Sequence, residues 1–218
     1  NGRGMDARTL SLGLLAPLLW GTTFTFAKPV VTHFPPLFMM LMAYSFIALV
    51  LAFNSSVKIR TPFWRIFTIA MFTVTAQGAF VFWGLRGVDA TTANLVLQLQ
   101  VPCAVVLGWL LTGERMTTAK IAGTLLALGG AAIVIGLPPQ KPPFLPTLLV
   151  ILGGATWALG QVLAQKLSLD SGLGMLKANA YAGLPQLALA TLLFESGQFQ
   201  AMATATPQQW LVLAFVIF

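Results

Sequence analysis

The chain has 218 residues, of which 57% are hydrophobic and only 8% are charged, and its mean hydropathy is +0.86. Soluble domains carry roughly a quarter of charged residues, so water is excluded as the main solvent. The net charge of +7 does not indicate a nucleic-acid partner, because the basic residues lie between apolar runs. Cys103 is the only cysteine, which excludes a disulfide framework and a cysteine metal site.

Apolar runs long enough to cross a bilayer follow one another along the chain. A hydrocarbon core about 30 Å thick needs roughly 20 apolar residues in a helix. The runs are far longer than the alternating segments of a β-barrel, so we predict an all-α polytopic bundle of transmembrane helices. Seven spans are predicted, with an eighth beginning near Gln208: residues 10–32, 37–53, 64–85, 90–112, 117–136, 145–167 and 173–194.

The first span carries three neighbouring candidates, Trp20 and Thr23 for binding a solute and Gly21 as a hinge. Trp20 lies half-way along the span rather than in an interfacial belt, and an indole inside a cavity can stack on an apolar or cationic solute. Helix packing is the alternative for Trp20. Lys28, near the outer end, is interpreted as a contact for a solute carboxylate or as a side chain that snorkels to the interface.

Amides in the third and fourth spans are candidates for lining a solute pathway. Asn94, Gln98 and Pro102 recur every four residues and therefore share one face of the fourth span. Amides in hydrocarbon need polar partners, and Pro102 frees a backbone carbonyl at the same depth, which also makes it a hinge candidate. Hydrogen bonds between neighbouring helices are the alternative. Gln77 in the third span is a candidate of the same kind.

Charged and small residues near the span ends have structural interpretations. Asp89 precedes the fourth span and is predicted to be its N-cap, while Glu114-Arg115 at the other end is predicted to form an interfacial ion pair. Gly123, Ala127 and Ala131 form a stripe of small residues along the fifth span. This stripe favours packing within a monomer, with a dimer interface as the alternative.

The sixth span repeats features of the first. Trp157 again lies half-way along its span, and we interpret it, with Gln161, as part of the solute-binding surface. Gly160 between them is a candidate hinge.

Lysine and arginine outside the spans predict the orientation. With the amino terminus in the cytoplasm, nine basic residues fall on the inner side, whereas only Arg86 and Lys141 fall on the outer side. This bias predicts seven complete crossings and a cytoplasmic amino terminus. The inner set is Arg3, Arg8, Lys58, Arg60, Arg65, Arg115, Lys120, Lys166 and Lys177.

The chain is weakly similar to itself at an offset of 137 residues, which pairs Trp20 with Trp157 and the first span with the sixth. Five spans per copy is an odd number, so the second copy is predicted to be inverted in the membrane. We therefore expect a tail at residues 1–9 that can include a tag remnant, a first repeat at 10–137, and an incomplete second repeat at 145–218. Ten helices are expected in the native protein.

Several of these stretches resemble the EamA family of the drug/metabolite transporter superfamily. The opening run from Leu18 to Lys28 is one. The others are Asn94 through Pro102 and Gly108 to Arg115, then Gly123 with Gly129-Gly130, and finally Thr156 through Lys166. The resemblance implies a ten-helix inverted repeat around a central solute pathway, and export of amino acids or related metabolites. Many relatives carry an arginine where Tyr44 stands, so no role of that charge is transferred.

The acidic residues argue for facilitated transport. All five acids are assigned to loops or span ends, whereas proton-coupled carriers commonly relay protons through buried carboxylates or histidines. We therefore expect alternating access without a membrane-embedded carboxylate, in a bacterial inner membrane, with a small-molecule solute and the lipid bilayer as partners. No metal, cofactor or nucleic acid is expected.

Other functions remain as alternatives. An importer or a nucleotide-sugar-type carrier is the nearest, although phosphate-bearing solutes favour several deep basic residues. A non-transporting membrane scaffold belongs to another class, and mid-membrane amides argue against it. An enzyme is not expected, since one histidine and terminal carboxylates offer no catalytic constellation.

Overall fold

The computed structural model describes residues 22, 25–54, 56–136 and 141–217, and this part of the chain is helical, without strands. The all-α prediction is confirmed, and α2–α7 agree with the second to seventh predicted spans within a few residues. The amino-terminal part of the first predicted span lies outside the described residues. The helices are α1 (Thr25–His33), α2 (Pro36–Ala52), α3 (Phe63–Gly87), α4 (Ala90–Thr112), α5 (Thr118–Gly136), α6 (Phe144–Leu167), α7 (Leu173–Phe194), α8 (Gln198–Thr204) and α9 (Pro207–Ile217).

The membrane-crossing character differs among these helices. Within the described residues, α3, α4 and α6 combine the length and hydropathy of a span. Helix α7 has 22 residues, but Lys177, Asn179 and Gln186 make it more polar. Helices α1 and α2 meet at an angle of 117°, and Pro35 between them is extended, with φ −59° and ψ 127°. The chain bends at Pro35 because a residue that precedes a proline avoids the helical region.

Helices α3 and α6 form the most extensive contact in the described bundle, and glycines make it possible. A Cβ on Gly153 would stand 2.5 Å from Val81 Cγ2, and one on Gly160 would stand 2.4 Å from Thr73 Cγ2. No side chain fits at such distances. The backbones of α3 and α6 can come this close because the two glycines of α6 carry only a hydrogen atom in place of a side chain. Small residues are the usual means of close packing in membranes, where no hydrophobic effect drives helices together.

Helices α2 and α7 are joined at both ends by charged side chains. Glu195, just after α7, accepts hydrogen bonds from the backbone N–H groups of Leu37 and Phe38 at 2.9 Å each, at the start of α2. Lys177 donates to the carbonyls of Asn54 and Val57, at 3.2 and 3.0 Å, just past the end of α2. An anion at a helix N-terminus and a cation at its C-terminus both complement the helix dipole. The two helices therefore form one fastened pair.

The loop between α6 and α7 is fastened to the start of α3 by Asp170. Its carboxylate accepts from the backbone N–H groups of Arg60 and Thr61 and from the Thr61 hydroxyl, which lies at 2.6 Å. Desolvation raises the pKa of Asp170, but these hydrogen bonds outweigh it and the net pKa is lowered. The carboxylate is therefore ionised at neutral pH and holds the two loops together.

Candidate functional site

Helix α4 is broken in the middle, at Gln98 and Leu99. These residues form turns whose N–H groups bond three residues back, to Leu95 at 3.2 Å and Val96 at 3.1 Å, before the helix resumes at Gln100. The cause is Pro102, which has no N–H to offer the carbonyl of Gln98 and whose ring clashes with that carbonyl. Broken helices at membrane depth are tolerated where they line a cavity.

A cleft of about 470 Å³ lies between the second half of α4 and α6. One end of the cleft lies at the break in α4, where a Cβ on Gly154 would stand only 3.4 Å from the Cβ of Gln100. At the carboxyl end of α4, Lys166 of α6 donates to the Leu111 carbonyl at 3.1 Å. Apart from apolar side chains, its lining consists of Gln100, Gly108, Glu114, Trp157, Gln161 and Gln165.

A carboxylate lines the cleft at the carboxyl end of α4. Glu114 Oε2 is 2.8 Å from Lys120 Nζ, and Gln165 donates to Oε1 at 3.4 Å. The hydrogen bond from Lys120 lowers the pKa of the Glu114 carboxyl, with a smaller contribution from Gln165, so the group is ionised at neutral pH. The predicted pairing of Glu114 with Arg115 was wrong, because Lys120 in the first turn of α5 pairs with the carboxylate instead.

The structure brings only some of the predicted residues together. Trp157 and Gln161 line the cleft, whereas Asn94, Gln98 and Gln77 are not part of its lining. Asn94 Oδ1 is buried and has no hydrogen-bond partner among the described residues, and Gln98 is exposed at the break. Gln77 is partly buried next to the α3–α6 contact. The binding roles of these three amides remain predictions.

The hinge candidates and the first-span candidates also have distinct outcomes. Trp20, Gly21 and Thr23 lie outside the described residues. Pro102 is buried at the break in α4, where a change of direction can occur. Gly160 instead lies in the tight contact with α3, so it packs two helices whether or not it also bends.

Lys28 has a role that neither sequence interpretation included. Its ammonium donates to the carbonyls of Leu85, Arg86 and Val88, at 2.5, 3.0 and 2.6 Å, and so caps the carboxyl end of α3. Arg86 returns the contact, donating to Val31 at 2.7 Å at the end of α1. An ammonium has three donors, and all three are used. A solute carboxylate would have to displace a backbone carbonyl to reach Lys28.

Asp89 is the N-cap of α4, as predicted, because its carboxylate accepts a hydrogen bond from the Thr92 N–H at 2.8 Å.

The sequence pattern of the EamA-like transporter family matches residues 7–136, more than half of the chain. The chain belongs to the EamA-like transporter family. A "probable amino-acid metabolite efflux pump" of Escherichia coli (strain K12) is 28% identical to this EamA chain over 159 residues, 72% of the chain and 53% of the relative. A "probable terminal-alkyne amino-acid exporter" of Streptantibioticus cattleyicolor is 38% identical over 69 residues, 30% of the chain and 23% of the relative. The EamA chain thus spans about half the length of the first of these curated relatives.

A crystal structure of a protein 23% identical in sequence shares the fold of this EamA chain, with a TM-score of 0.67. The likeness covers 94% of the chain and 71% of that protein. The predicted family and the polytopic helical fold are therefore confirmed, and the family to which the chain belongs is a transporter family.

Three polar residues of the EamA cleft were not selected from the sequence as binding candidates: Gln100, Gln165 and Glu114. A signal for Gln165 was present, because Trp157, Gln161 and Gln165 recur every four residues and share one face of α6. Gln100 follows the α4 break by one residue, and only the altered helical phase after the break turns it toward α6. Glu114 lies beyond the end of α4, where sequence periodicity gives no direction.

Proposed function

We propose that the native protein is an inner-membrane transporter that exports small metabolites, such as neutral or aromatic amino acids, through the cleft between α4 and α6. The observation that carries the proposal is the cleft itself, in which one indole and three glutamine amides face a space of about 470 Å³. Stacking on Trp157 suits an apolar or aromatic side chain, and amides suit the polar atoms of an amino acid. The names of the relatives support the same solute class.

Alternating access is the proposed mechanism, with the cleft opening to one side of the membrane at a time. The break in α4 supports this proposal, because a helix interrupted near Pro102 can move its two halves separately. The native protein is proposed to act as a monomer with its amino terminus in the cytoplasm, which would place the Glu114 end of the cleft on the cytoplasmic side.

Facilitated transport is the proposed energetic mode. Within the described residues, Asp89, Glu114, Asp170 and Glu195 all lie outside the helices, and Asp89, Asp170 and Glu195 accept hydrogen bonds from backbone N–H groups. Carboxylates held in this way serve as caps, and the described helices offer no buried acid as a proton relay.

The test uses the full-length protein, purified and reconstituted into liposomes, with counterflow of radiolabelled phenylalanine as the measurement. We expect uptake in protein-containing vesicles only, at a rate that does not change when the proton gradient is collapsed. Trp157→Ala should lower the rate about tenfold, since the stacking surface is removed from the cleft.

The matched control is Trp109→Ala, which removes an indole from the same part of the bundle. Trp109 lies on α4 with half of its surface exposed and is not part of the cleft lining. Its removal should leave counterflow within about twofold of the wild type, because exposed positions contribute little. Equal losses in both variants would argue against the cleft as the pathway, and strict dependence on the proton gradient would contradict facilitated transport.

A further inference from the structure

The Glu114 carboxylate lies at one end of the cleft because the backbone turns there. Helix α4 ends at Gly113, whose φ of 70° is in the left-handed region that glycine adopts without strain. The chain then folds back over the last turns of α4, so that a Cβ on Gly108 would stand 3.6 Å from Glu114 Cδ. The turn thus directs Glu114 toward Gly108 and the lining of the cleft.

The ammonium of Lys120 already forms an ion pair with the Glu114 carboxylate. Lys120 Nζ lies 2.8 Å from Oε2, and the amide of Gln165 approaches Oε1 from α6 at 3.4 Å. The side chains of Lys120 and Glu114 are each 39% exposed. Exposed ion pairs of this kind contribute little net free energy, so a second ammonium can replace Lys120 at low cost.

The remaining polar groups of the cleft complement an amino acid whose amino group is at Glu114. Gln161 and Gln165 lie one helical turn apart on α6, between the carboxylate and Trp157. Their amides can donate to a solute carboxylate, while Trp157, about two turns along α6 from Gln165, can stack on the solute side chain. Within the described residues, the lining of the cleft contains no other charged side chain than Glu114.

We propose that Glu114 binds the amino group of the transported solute, in exchange for the ammonium of Lys120. This inference rests on the proposed function and assigns to that function a specificity-determining residue. Solutes that carry a primary ammonium are thereby selected over solutes of the same shape that lack it. Lys120 acts as a competing internal cation, which occupies the carboxylate whenever the cleft is empty.

The experiment measures equilibrium binding to the purified full-length protein of three compounds: phenylalanine, phenethylamine, which lacks the carboxylate, and 3-phenylpropionate, which lacks the amine. In Glu114→Gln we expect the Kd of phenylalanine and phenethylamine to rise about three- to fivefold, as for loss of an exposed ion pair. The Kd of 3-phenylpropionate should not rise, which also reports that the variant is folded. In Lys120→Met, phenethylamine should bind several-fold more tightly, because the competing ammonium is gone.

The matched control is Arg115→Gln, which changes a neighbouring exposed charge in the same loop and should alter none of the three constants by more than about twofold. If Glu114→Gln weakened all three compounds equally, or none, the carboxylate would have only a structural role and the inference would be wrong. Looser binding of phenethylamine in Lys120→Met would also overturn it. Failure of the proposed function is separate, and shows as wild-type protein that neither binds phenylalanine nor gives counterflow.

Discussion

Single glycines set how closely the helices of this bundle approach one another. Gly160 faces the backbone of α3, where a Cβ would lie 3.0 Å from the Thr73 nitrogen as well as 2.4 Å from Thr73 Cγ2. Backbone atoms cannot rotate aside as a side chain can. In contrast, a Cβ on Gly130 of α5 would have nothing within 4 Å. Two residues of the same type, each inside a helix, therefore have different consequences.

Replacement of Gly160 by alanine should destabilise the protein by about 1–3 kcal/mol, because the added methyl group forces α6 away from α3. Thermal unfolding of the purified protein in detergent, followed by loss of helical circular dichroism or by exposure of Cys103 to a thiol reagent, measures the change. The unfolding temperature should fall by several degrees.

Gly130→Ala is the control for the intrinsic effect of alanine in a helix. Alanine favours the helix over glycine by roughly 0.8–1 kcal/mol, so this variant should be as stable as the wild type or slightly more stable. An unfolding temperature for Gly160→Ala at or above that of Gly130→Ala would contradict the close contact between α3 and α6.

Helices α3 and α4, which both lie against α6, each contain an irregular segment. Helix α3 contains a π-helical segment, Met71–Ala76, which contributes Thr73 to that contact, and α4 is interrupted at Gln98 and Leu99. Both irregularities depart from the hydrogen-bond ladder that membrane helices otherwise keep, and such departures are frequent at functional sites. The break in α4 has the clearer cause, because Pro102 follows four residues after Gln98.

Replacement of Pro102 by alanine should restore the missing N–H donor and make α4 continuous. We expect the rate of phenylalanine counterflow to fall several-fold while the unfolding temperature stays the same or rises, since a proline inside a helix costs about 3 kcal/mol where nothing compensates. Counterflow and thermal unfolding, measured on one preparation, separate the two effects.

Pro185→Ala provides the comparison at the level of the helix. Pro185 lies inside α7, which remains a single helix from Leu173 to Phe194. Its replacement should affect transport much less than that of Pro102, because no break is removed. If both variants transported at the same rate as the wild type, the break in α4 would have no part in the transport cycle.

At the scale of the whole molecule, the described helices form two contrasting pairs. Helices α2 and α7 are fastened at both ends by Glu195 and Lys177, whereas α4 and α6 line the cleft and are joined by the exposed Lys166, which donates to the Leu111 carbonyl. A transport cycle that opens and closes the cleft must change the distance between α4 and α6. The fastened pair can move as one body.

Covalent linkage across each pair tests this difference. In a Cys103→Ser background, Ala104→Cys with Gln161→Cys places thiols on the two walls of the cleft. After reaction with a short bis-maleimide, we expect counterflow to fall at least tenfold, since the linker both blocks the cleft and fixes its width.

The control pair is Phe38→Cys with Leu192→Cys, which line a cavity of about 300 Å³ beside α2 and α7. Linkage there should leave most of the counterflow rate, because it joins helices that are already fastened. Loss of transport in the control pair alone would reverse the assignment of the moving helices. Linkage efficiency is read from gel mobility in both cases.

The sequence by itself determined the features that depend on local composition. Uninterrupted apolar runs located six helices within a few residues. A backbone in hydrocarbon has to form its own hydrogen bonds, and an apolar run of that length does so by forming a helix. Aspartate marked the cap at Asp89 for an equally local reason, because its side chain bonds a backbone N–H of the first helical turn. The family, too, followed from short stretches of sequence.

Only the tertiary structure decided which polar groups share a space. Trp157 and Gln161 were found from their position along a span, but Gln100, Gln165 and Glu114 join them because α4 changes phase at its break and reverses at Gly113. The position of Lys28 near the end of its span was read from the sequence, yet its three carbonyl partners lie at the end of another helix, 57 to 60 residues away. Such contacts depend on how whole helices rotate and how closely they approach one another. The positions of apolar runs in the sequence determine neither.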